Sequence, residues 1–250
     1  MKKIFTIGGA VLGTILAAAL VIFIFFPGLP TYIIVKHKYD HIDELVPEFE
    51  KSAVPDDYES HTLKGITFRT PSDWEGHSAV EGAEAGTYRS KDDSHIGVML
   101  SSYKSYDDIL GSVEDYDPWN TYEYEEEDYR HFLKAIGVEP PQYGFAYRIL
   151  WYIRDHITAK DCIKLRGTDK KVFSELAAVK EESINTERLW KTEGNDFSAY
   201  IGQELYSSFK DGYWSITLYP NESDDEYYHV FIKCPDETTA RQIISSIELE

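Results

Sequence analysis

The sequence predicts an α+β fold, with an antiparallel sheet flanked by helices behind an N-terminal transmembrane helix. Three observations predict this architecture. A long uncharged apolar run lies within the first 26 residues. Segments of strand-like composition open and close the rest of the chain, and helical periodicity fills its middle. Strands that are grouped, rather than alternating singly with helices, favour an antiparallel sheet over a parallel one.

The apolar run covers residues 4–26 and carries no charge. At about 1.5 Å per residue it reaches roughly 34 Å, which is enough to span a bilayer core. Lys2 and Lys3 precede it, and positive residues stay on the cytoplasmic side. We therefore expect a single-pass anchor in residues 1–30, with the C-terminal domain outside the cytoplasm. A signal peptide cleaved after the small residues 17–19 and a reversed anchor are the alternatives.

After the anchor, residues 31–61 are predicted to form a juxtamembrane connector, and residues 62–250 form the extracytoplasmic domain. The clearest strand signal is the alternation of Tyr213, Ser215 and Thr217 with more apolar neighbours. Similar composition or alternation predicts strands at 65–71, 86–90, 95–100, 187–192, 197–201, 212–219 and 227–233.

A helical insertion is predicted at about 105–183, between the two groups of strands. Helix-forming segments there are preceded by residues that can accept hydrogen bonds from the first N–H groups of a helix, or followed by residues that end helices. A last helix begins at Asp236, and the chain ends in an edge strand that includes Ile247 and Leu249. Within the insertion we expect helices near 105–113, 122–136 and 147–154, a stop at Gly137, and N-caps at Thr158 and at Thr168 or Asp169.

The formal net charge is −19 over 250 residues. A field of that sign repels phosphate backbones, so nucleic acid is excluded as a partner. It also repels anionic lipid headgroups, so the domain is expected to stand off the bilayer. Solubility explains the acidity more simply than a cation-binding role does.

Both ends of the predicted domain resemble PsbP/Mog1-like domains. The segment 65–74, Gly-Ile-Thr-Phe-Arg-Thr-Pro-Ser-Asp-Trp, is similar to that family's first strand and its Pro-x-x-Trp turn. The segments 228–232 and 239–247 are similar to its last strand, helix and serine-isoleucine ending. The resemblance covers about a quarter of the domain. It implies an antiparallel sheet sandwiched by helices, and work in binding or assembly rather than catalysis. The long helical insertion departs from a minimal member and leaves any specific partner open.

A weak calcium-loop pattern is the best metal candidate. Asp115, Asp117 and Glu126 occupy the first, third and twelfth positions of such a loop. Trp119 stands where a ligand belongs and Asn120 stands where glycine is needed, so an acidic helix start is the simpler interpretation. We predict no metal and no cofactor.

Catalytic motifs are missing from the sequence. The chain has no zinc-hydrolase helix, P-loop, dinucleotide fingerprint or Gly-x-Ser-x-Gly elbow. Enzymatic activity therefore stays open, with a non-enzymatic protein favoured. Cys162 and Cys234 allow one disulfide outside the cytoplasm, and two buried free thiols are an equal alternative.

An aromatic set could line a ligand cleft or a partner surface, or it could simply form the core and sheet face. The function expected from these features is a membrane-tethered binding or assembly module with an unknown protein partner. A cell-envelope hydrolase or transferase and a small-ligand sensor are the alternatives. The aromatic residues that we single out as a surface are Trp151, Trp190, Tyr213, Trp214 and Tyr219.

Overall fold

The structure is a computed structural model that describes residues 17, 19–63, 65–78, 86–93, 96–103, 123–140, 145–205, 212–222 and 227–249. The chain divides into two compact units. The first, called the helical unit, comprises Met1–Leu45, Pro118–Pro140 and Tyr152–Glu182. The second, called the sheet unit, comprises Val46–Asp117, Pro141–Trp151 and Ser183–Glu250. Much of the helical insertion predicted at about 105–183 therefore joins the N-terminal segment in one unit, whereas Pro141–Trp151 belongs to the sheet unit.

Ten strands form two antiparallel sheets in the described part of the sheet unit. A seven-stranded sheet has the order β3-β4-β5-β9-β8-β7-β6, and a three-stranded sheet has the order β1-β2-β10. The strands are β1 (Glu59–Leu63), β2 (Ile66–Thr70), β3 (Trp74–His77), β4 (Thr87–Ser90), β5 (Gly97–Tyr103), β6 (Glu187–Glu193), β7 (Phe197–Glu204), β8 (Tyr213–Pro220), β9 (Tyr227–Lys233) and β10 (Glu248–Leu249).

The predicted antiparallel sheet with flanking helices is confirmed. Alternation along β8 buries Trp214, Ile216 and Leu218 on one face. These residues share one hydrophobic core with Ala240 and Ile243 of the last helix. Burial of such side chains stabilises the fold by about 1.5–3 kcal/mol each.

The small sheet begins earlier than the sequence predicted. Residues 59–61 were assigned to the connector, but they pair with β2 in a hairpin, with Glu59 opposite Thr70. Gly65 lies in the turn with φ +80°, a conformation that glycine adopts without a steric cost. The predicted edge strand at the C-terminus is confirmed, because Glu248–Leu249 pairs with β2.

The described helices are largely where the sequence predicted them, but the N-cap predicted at Thr168 or Asp169 is wrong, because that helix already begins at Gly167. The cap predicted at Thr158 is confirmed as a capping box, in which the Thr158 N–H donates to Asp161 at 2.7 Å. Gly137, with φ +83°, follows the third helix as predicted. The helix predicted at 105–113 lies outside the described residues. The helices are α1 (Ala19–Phe25), α2 (Leu29–Lys38), α3 (Glu126–Ala135), α4 (Phe145–His156), α5 (Gly167–Thr186) and α6 (Glu237–Ser245), with a 3₁₀ segment at Ala159–Lys164.

The described chain bends just after the apolar run predicted as a membrane anchor. Pro30 lies in the first turn of α2, where its missing N–H costs no hydrogen bond. Most of residues 4–26 lies outside the described residues. In the described part, no single helix has the length and hydropathy of a membrane span. The pair α1 and α2, bent by 80°, meets that test only when taken together.

The helical unit has its own apolar core. Phe132 of α3 and Phe173 of α5 are wholly buried, with ring centroids 6.3 Å apart. Lys180 of α5 is also fully buried, and its Nζ donates to the carbonyl oxygens of Ile42 at 2.9 Å and Ile157 at 2.6 Å. This ammonium ties α5 to the end of α4 and to the segment after α2. Burial lowers the pKa of Lys180 to about 8.

Candidate functional site

The seven-stranded sheet has a second face, opposite the one that shares a core with α6, and we call it the aromatic face. Tyr213, Ser215, Thr217 and Tyr219 of β8 lie on it because strand residues alternate between faces. Tyr219 is buried, and it packs with Trp151 of α4 in a small cluster. One end of the aromatic face is therefore covered by the part of α4 that belongs to the sheet unit.

Rings touch one another in a continuous series along this face. Aromatic pairs stabilise a fold by about 0.5–1.5 kcal/mol each beyond their burial. The centroid distances are Trp151–Tyr200 5.4 Å, Tyr200–Tyr219 6.5 Å, Tyr219–Tyr227 6.4 Å, Tyr227–His229 5.3 Å, His229–Phe231 5.4 Å and Phe231–Tyr213 6.0 Å.

His229 lies inside this series without carrying a charge at neutral pH. Burial lowers the pKa of its imidazole to about 4. Tyr213, at the other end, keeps its phenol proton because burial, and secondarily the charge of Glu204, raise its pKa. The face therefore offers neutral rings, with the Tyr213 hydroxyl able to donate a hydrogen bond.

A groove of about 310 Å³ opens at the Tyr213 end of the aromatic face. Its apolar wall consists of Phe231 and Met99, and Met99 is 43% exposed. Arg89 and Lys233 supply two cationic side chains to the same groove. Two positive charges therefore share one groove in a chain whose net charge is −19.

The strand register explains how these cations meet. Arg89 of β4 pairs with Gly97 of β5, Gly97 pairs with Lys233 of β9, and Lys233 pairs with Tyr213 of β8. Four strands thus contribute one residue each to a single row. Strands lie about 4.8 Å apart, so the Arg89 and Lys233 backbones are about 10 Å apart across the glycine.

Gly97 keeps the middle of the row open. A Cβ at this position would lie 2.6 Å from the Tyr88 carbonyl oxygen and 3.1 Å from Arg89 Cγ. Any larger residue would therefore crowd the backbone and displace the arginine. The result is a site with a bare floor, a cation on each side and an aromatic wall. Such a site suits an anionic group that is attached to an apolar one.

The five aromatic residues predicted as one surface lie on two faces. Trp151 and Tyr219 pack at the covered end of the aromatic face, and Tyr213 lines the groove. Trp214 is wholly buried on the opposite face, where it stacks on Trp190 at 5.6 Å. Tyr213 and Trp214 are adjacent in sequence, so the alternation of a strand must send them to opposite sides.

The sequence did not single out Arg89, Gly97 and Lys233. Arg89 and Lys233 fall within segments predicted as strands, and this strand prediction was the signal that the sequence offered for locating them. Their proximity depends on the pairing of β5 with β9, which are more than 120 positions apart in sequence. No local pattern specifies that pairing or its register.

Both cysteines are free thiols in the structure. Cys162 belongs to the helical unit and Cys234 to the sheet unit. Burial raises the pKa of each thiol to about 11, so neither forms an appreciable amount of thiolate at neutral pH. The structure therefore contains the two buried thiols and not the disulfide that the sequence also allowed.

The calcium-loop candidates are only partly within the described residues. Asp115 and Asp117 lie outside them. Glu126 begins α3, and its carboxylate pairs with Arg130 one turn later. Within the described ranges, no group of three histidine, cysteine or acidic side chains is placed to hold a metal ion.

Comparison with known proteins finds likenesses among solved structures. No known protein family and no curated protein sequence matches the chain. Among solved structures it is similar to cyanobacterial PsbP from Synechocystis, at 9% identity and a TM-score of 0.31. The likeness covers 80% of this chain and 98% of the PsbP chain.

Proposed function

We propose that this protein is a membrane-tethered, extracytoplasmic binding or assembly module that is not an enzyme. Its partner presents an anionic group, attached to an apolar one, to the groove on the aromatic face. The observation that carries the proposal is the row of Arg89, Gly97, Lys233 and Tyr213, which joins two cations and an aromatic wall around an open floor.

Charge complementarity supports an anionic partner group. The chain as a whole carries a net charge of −19 and repels anions at long range. A carboxylate that enters this groove meets Arg89 and Lys233 at close range, and hydrogen bonds to charged groups contribute about 1.5–3 kcal/mol each. Repulsion at long range combined with attraction at one site favours selectivity over indiscriminate anion binding.

Tethering and family membership are parts of the same proposal. The uncharged run at residues 4–26, preceded by Lys2 and Lys3, supports an anchor with the domain outside the cytoplasm. The motifs at 65–74 and 239–247 support membership in the PsbP/Mog1-like domains. That resemblance fits binding or assembly work.

The surroundings of Cys162, a possible nucleophile, and of His229, a possible base, support binding over catalysis. The Cys162 thiol is buried, and its pKa of about 11 leaves it protonated. It donates to the Ala159 carbonyl oxygen at 3.2 Å, which is a structural contact. His229 is neutral and enclosed by rings, so it has the surroundings of a packed residue rather than of an exposed base.

The test is crosslinking in cells, followed by mild-detergent purification of the full chain and mass spectrometry. Three chains are compared: wild type, Arg89→Gln/Lys233→Gln, and the matched control Arg188→Gln/Lys51→Gln, which removes an exposed arginine and lysine from the same unit. We expect a specific partner with wild type and control, and at least about tenfold lower recovery with the groove variant.

Equal recovery by all three chains would show that the groove does not hold the partner. Recovery of the wild-type chain alone, under conditions that preserve a control complex, would contradict the assembly function. A small-ligand sensor would then be the better proposal, because a groove of about 310 Å³ is at the lower end of small-molecule sites.

A further inference from the structure

The elbow between α1 and α2 is fixed to the 3₁₀ segment of the helical unit. The Gly28 N–H donates to the Ile163 carbonyl oxygen at 2.9 Å, and the Cys162 sulfur lies 3.7 Å from the Gly28 carbonyl oxygen. A Cβ on Gly28 would lie only 1.7 Å from the Cys162 carbonyl oxygen. Only glycine permits so close an approach, so the elbow and the 3₁₀ segment have a fixed geometry.

Apolar side chains are exposed on both sides of this elbow. Every residue from 20 to 26 is between 42% and 65% exposed, and all seven are large and apolar. On α2, Ile33 and Ile34 are about 60% exposed, whereas Val35 is buried in the helical unit. A continuous exposed apolar surface of this kind marks a contact with another apolar phase.

Three exposed cations lie beside the exposed apolar surface. Lys160, Lys164 and Arg166 occur within seven residues, next to the elbow, and line a recess of about 660 Å³ together with Phe26. The Arg166 guanidinium donates to the Ile24 carbonyl oxygen near the end of α1. We call these three residues the basic collar.

The acids in the same recess are already engaged. Asp161 accepts hydrogen bonds from the Thr158 N–H at 2.7 Å and from its hydroxyl at 2.9 Å. Asp169 is 2.7 Å from the ring nitrogen of His131. These contacts orient both carboxylates within the protein, so the recess holds three cationic and two anionic side chains, and the three cations are the more exposed.

We infer that the basic collar binds the phosphate groups of anionic lipids and seats the helical unit on the bilayer surface. If α1 follows the membrane normal, α2, bent by 80° from it, lies almost along the surface. Ile33 and Ile34 then enter the interface as they do in surface-lying helices. The net charge of −19 predicts repulsion for the domain as a whole, and the collar reverses that sign locally.

The inference rests on the proposed membrane tether, and the experiment separates the two. The full chain is reconstituted in nanodiscs of phosphatidylcholine alone or of phosphatidylcholine with phosphatidylglycerol. An amine-acylating reagent then labels the lysines, and mass spectrometry follows Lys160 and Lys164 against Lys51, an exposed lysine of the sheet unit. We expect labelling of the collar lysines to fall by about fivefold or more in the anionic discs only.

Lipid analysis of discs cut from native membranes provides a second readout. We expect phosphatidylglycerol to be enriched around wild type and around Lys51→Gln/Arg188→Gln, and not around Lys160→Gln/Lys164→Gln. Failure of the chain to enter discs would overturn the tether itself. Incorporation with equal labelling of Lys160 and Lys164 in both lipids, and no enrichment, would overturn the collar while leaving the tether intact.

Discussion

Replacing Lys180 by methionine should change how the stability of the helical unit depends on pH. The wild-type ammonium is fully buried between the carbonyl oxygens of Ile42 and Ile157. Burial lowers its pKa from 10.5 to about 8, so the protonated form is disfavoured in the folded state. Methionine has a similar length and no charge, so the variant lacks this titration.

The sign follows from the proton balance. Between pH 8 and pH 10.5 the unfolded chain binds more protons at this lysine than the folded chain does. The free-energy cost of keeping this lysine charged in the folded state is therefore complete below pH 8 and disappears as the pH rises through 10.5. Because of this proton linkage, the unfolding free energy of wild type should rise by about 2 kcal/mol relative to that of Lys180→Met between pH 7 and pH 9.5.

The assay is urea unfolding of the detergent-solubilised full chain, followed by far-UV circular dichroism at both pH values. The measured quantity is the difference in unfolding free energy between wild type and Lys180→Met. Lys171→Met, an exposed lysine of the same helix, is the matched control. A difference that stays constant between the two pH values would refute a depressed pKa at Lys180, whatever the absolute stability of the variant.

Two further predictions concern the sheet unit and the thiols. His229 has a folded pKa of about 4 against 6.5 when unfolded, so wild type should lose stability relative to His229→Phe as the pH falls from about 6.5 to 4. Thermal unfolding of both chains across that range measures the effect, and parallel pH profiles would contradict it. Cys162 and Cys234 should resist alkylation in the native protein and react fully in denaturant without reductant. Intact-mass analysis counts the labels, and a chain that needs reductant before labelling would contain the disulfide instead.

Local sequence features predicted much of the fold correctly. Alternation along 213–219 specified the buried and aromatic sides of β8, because a strand sends successive side chains to opposite faces. The caps at Thr158 and Asp236 were predictable because short polar side chains satisfy the first N–H groups of a helix. These features depend on neighbours within a few residues, and the sequence displays them directly.

The candidate site depended on contacts that the sequence does not display. Arg89, Gly97, Lys233 and Tyr213 form one row only because β5 pairs with β9 in one register. Shifting that register by one residue would place Arg89 and Lys233 on opposite faces of the sheet. The register is specified by which side chains become buried on each face of the whole sheet. That burial is a property of the assembled core and not of any local segment.

The same distinction applies to the N-terminal segment. Composition alone identified an apolar run at residues 4–26 and its flanking lysines. The tertiary structure decided that the chain bends by 80° after Phe25, and that Gly28 packs on the 3₁₀ segment beside Lys160 and Lys164. Hydropathy depends on each residue alone, whereas this bend depends on a close backbone contact between segments more than 130 positions apart.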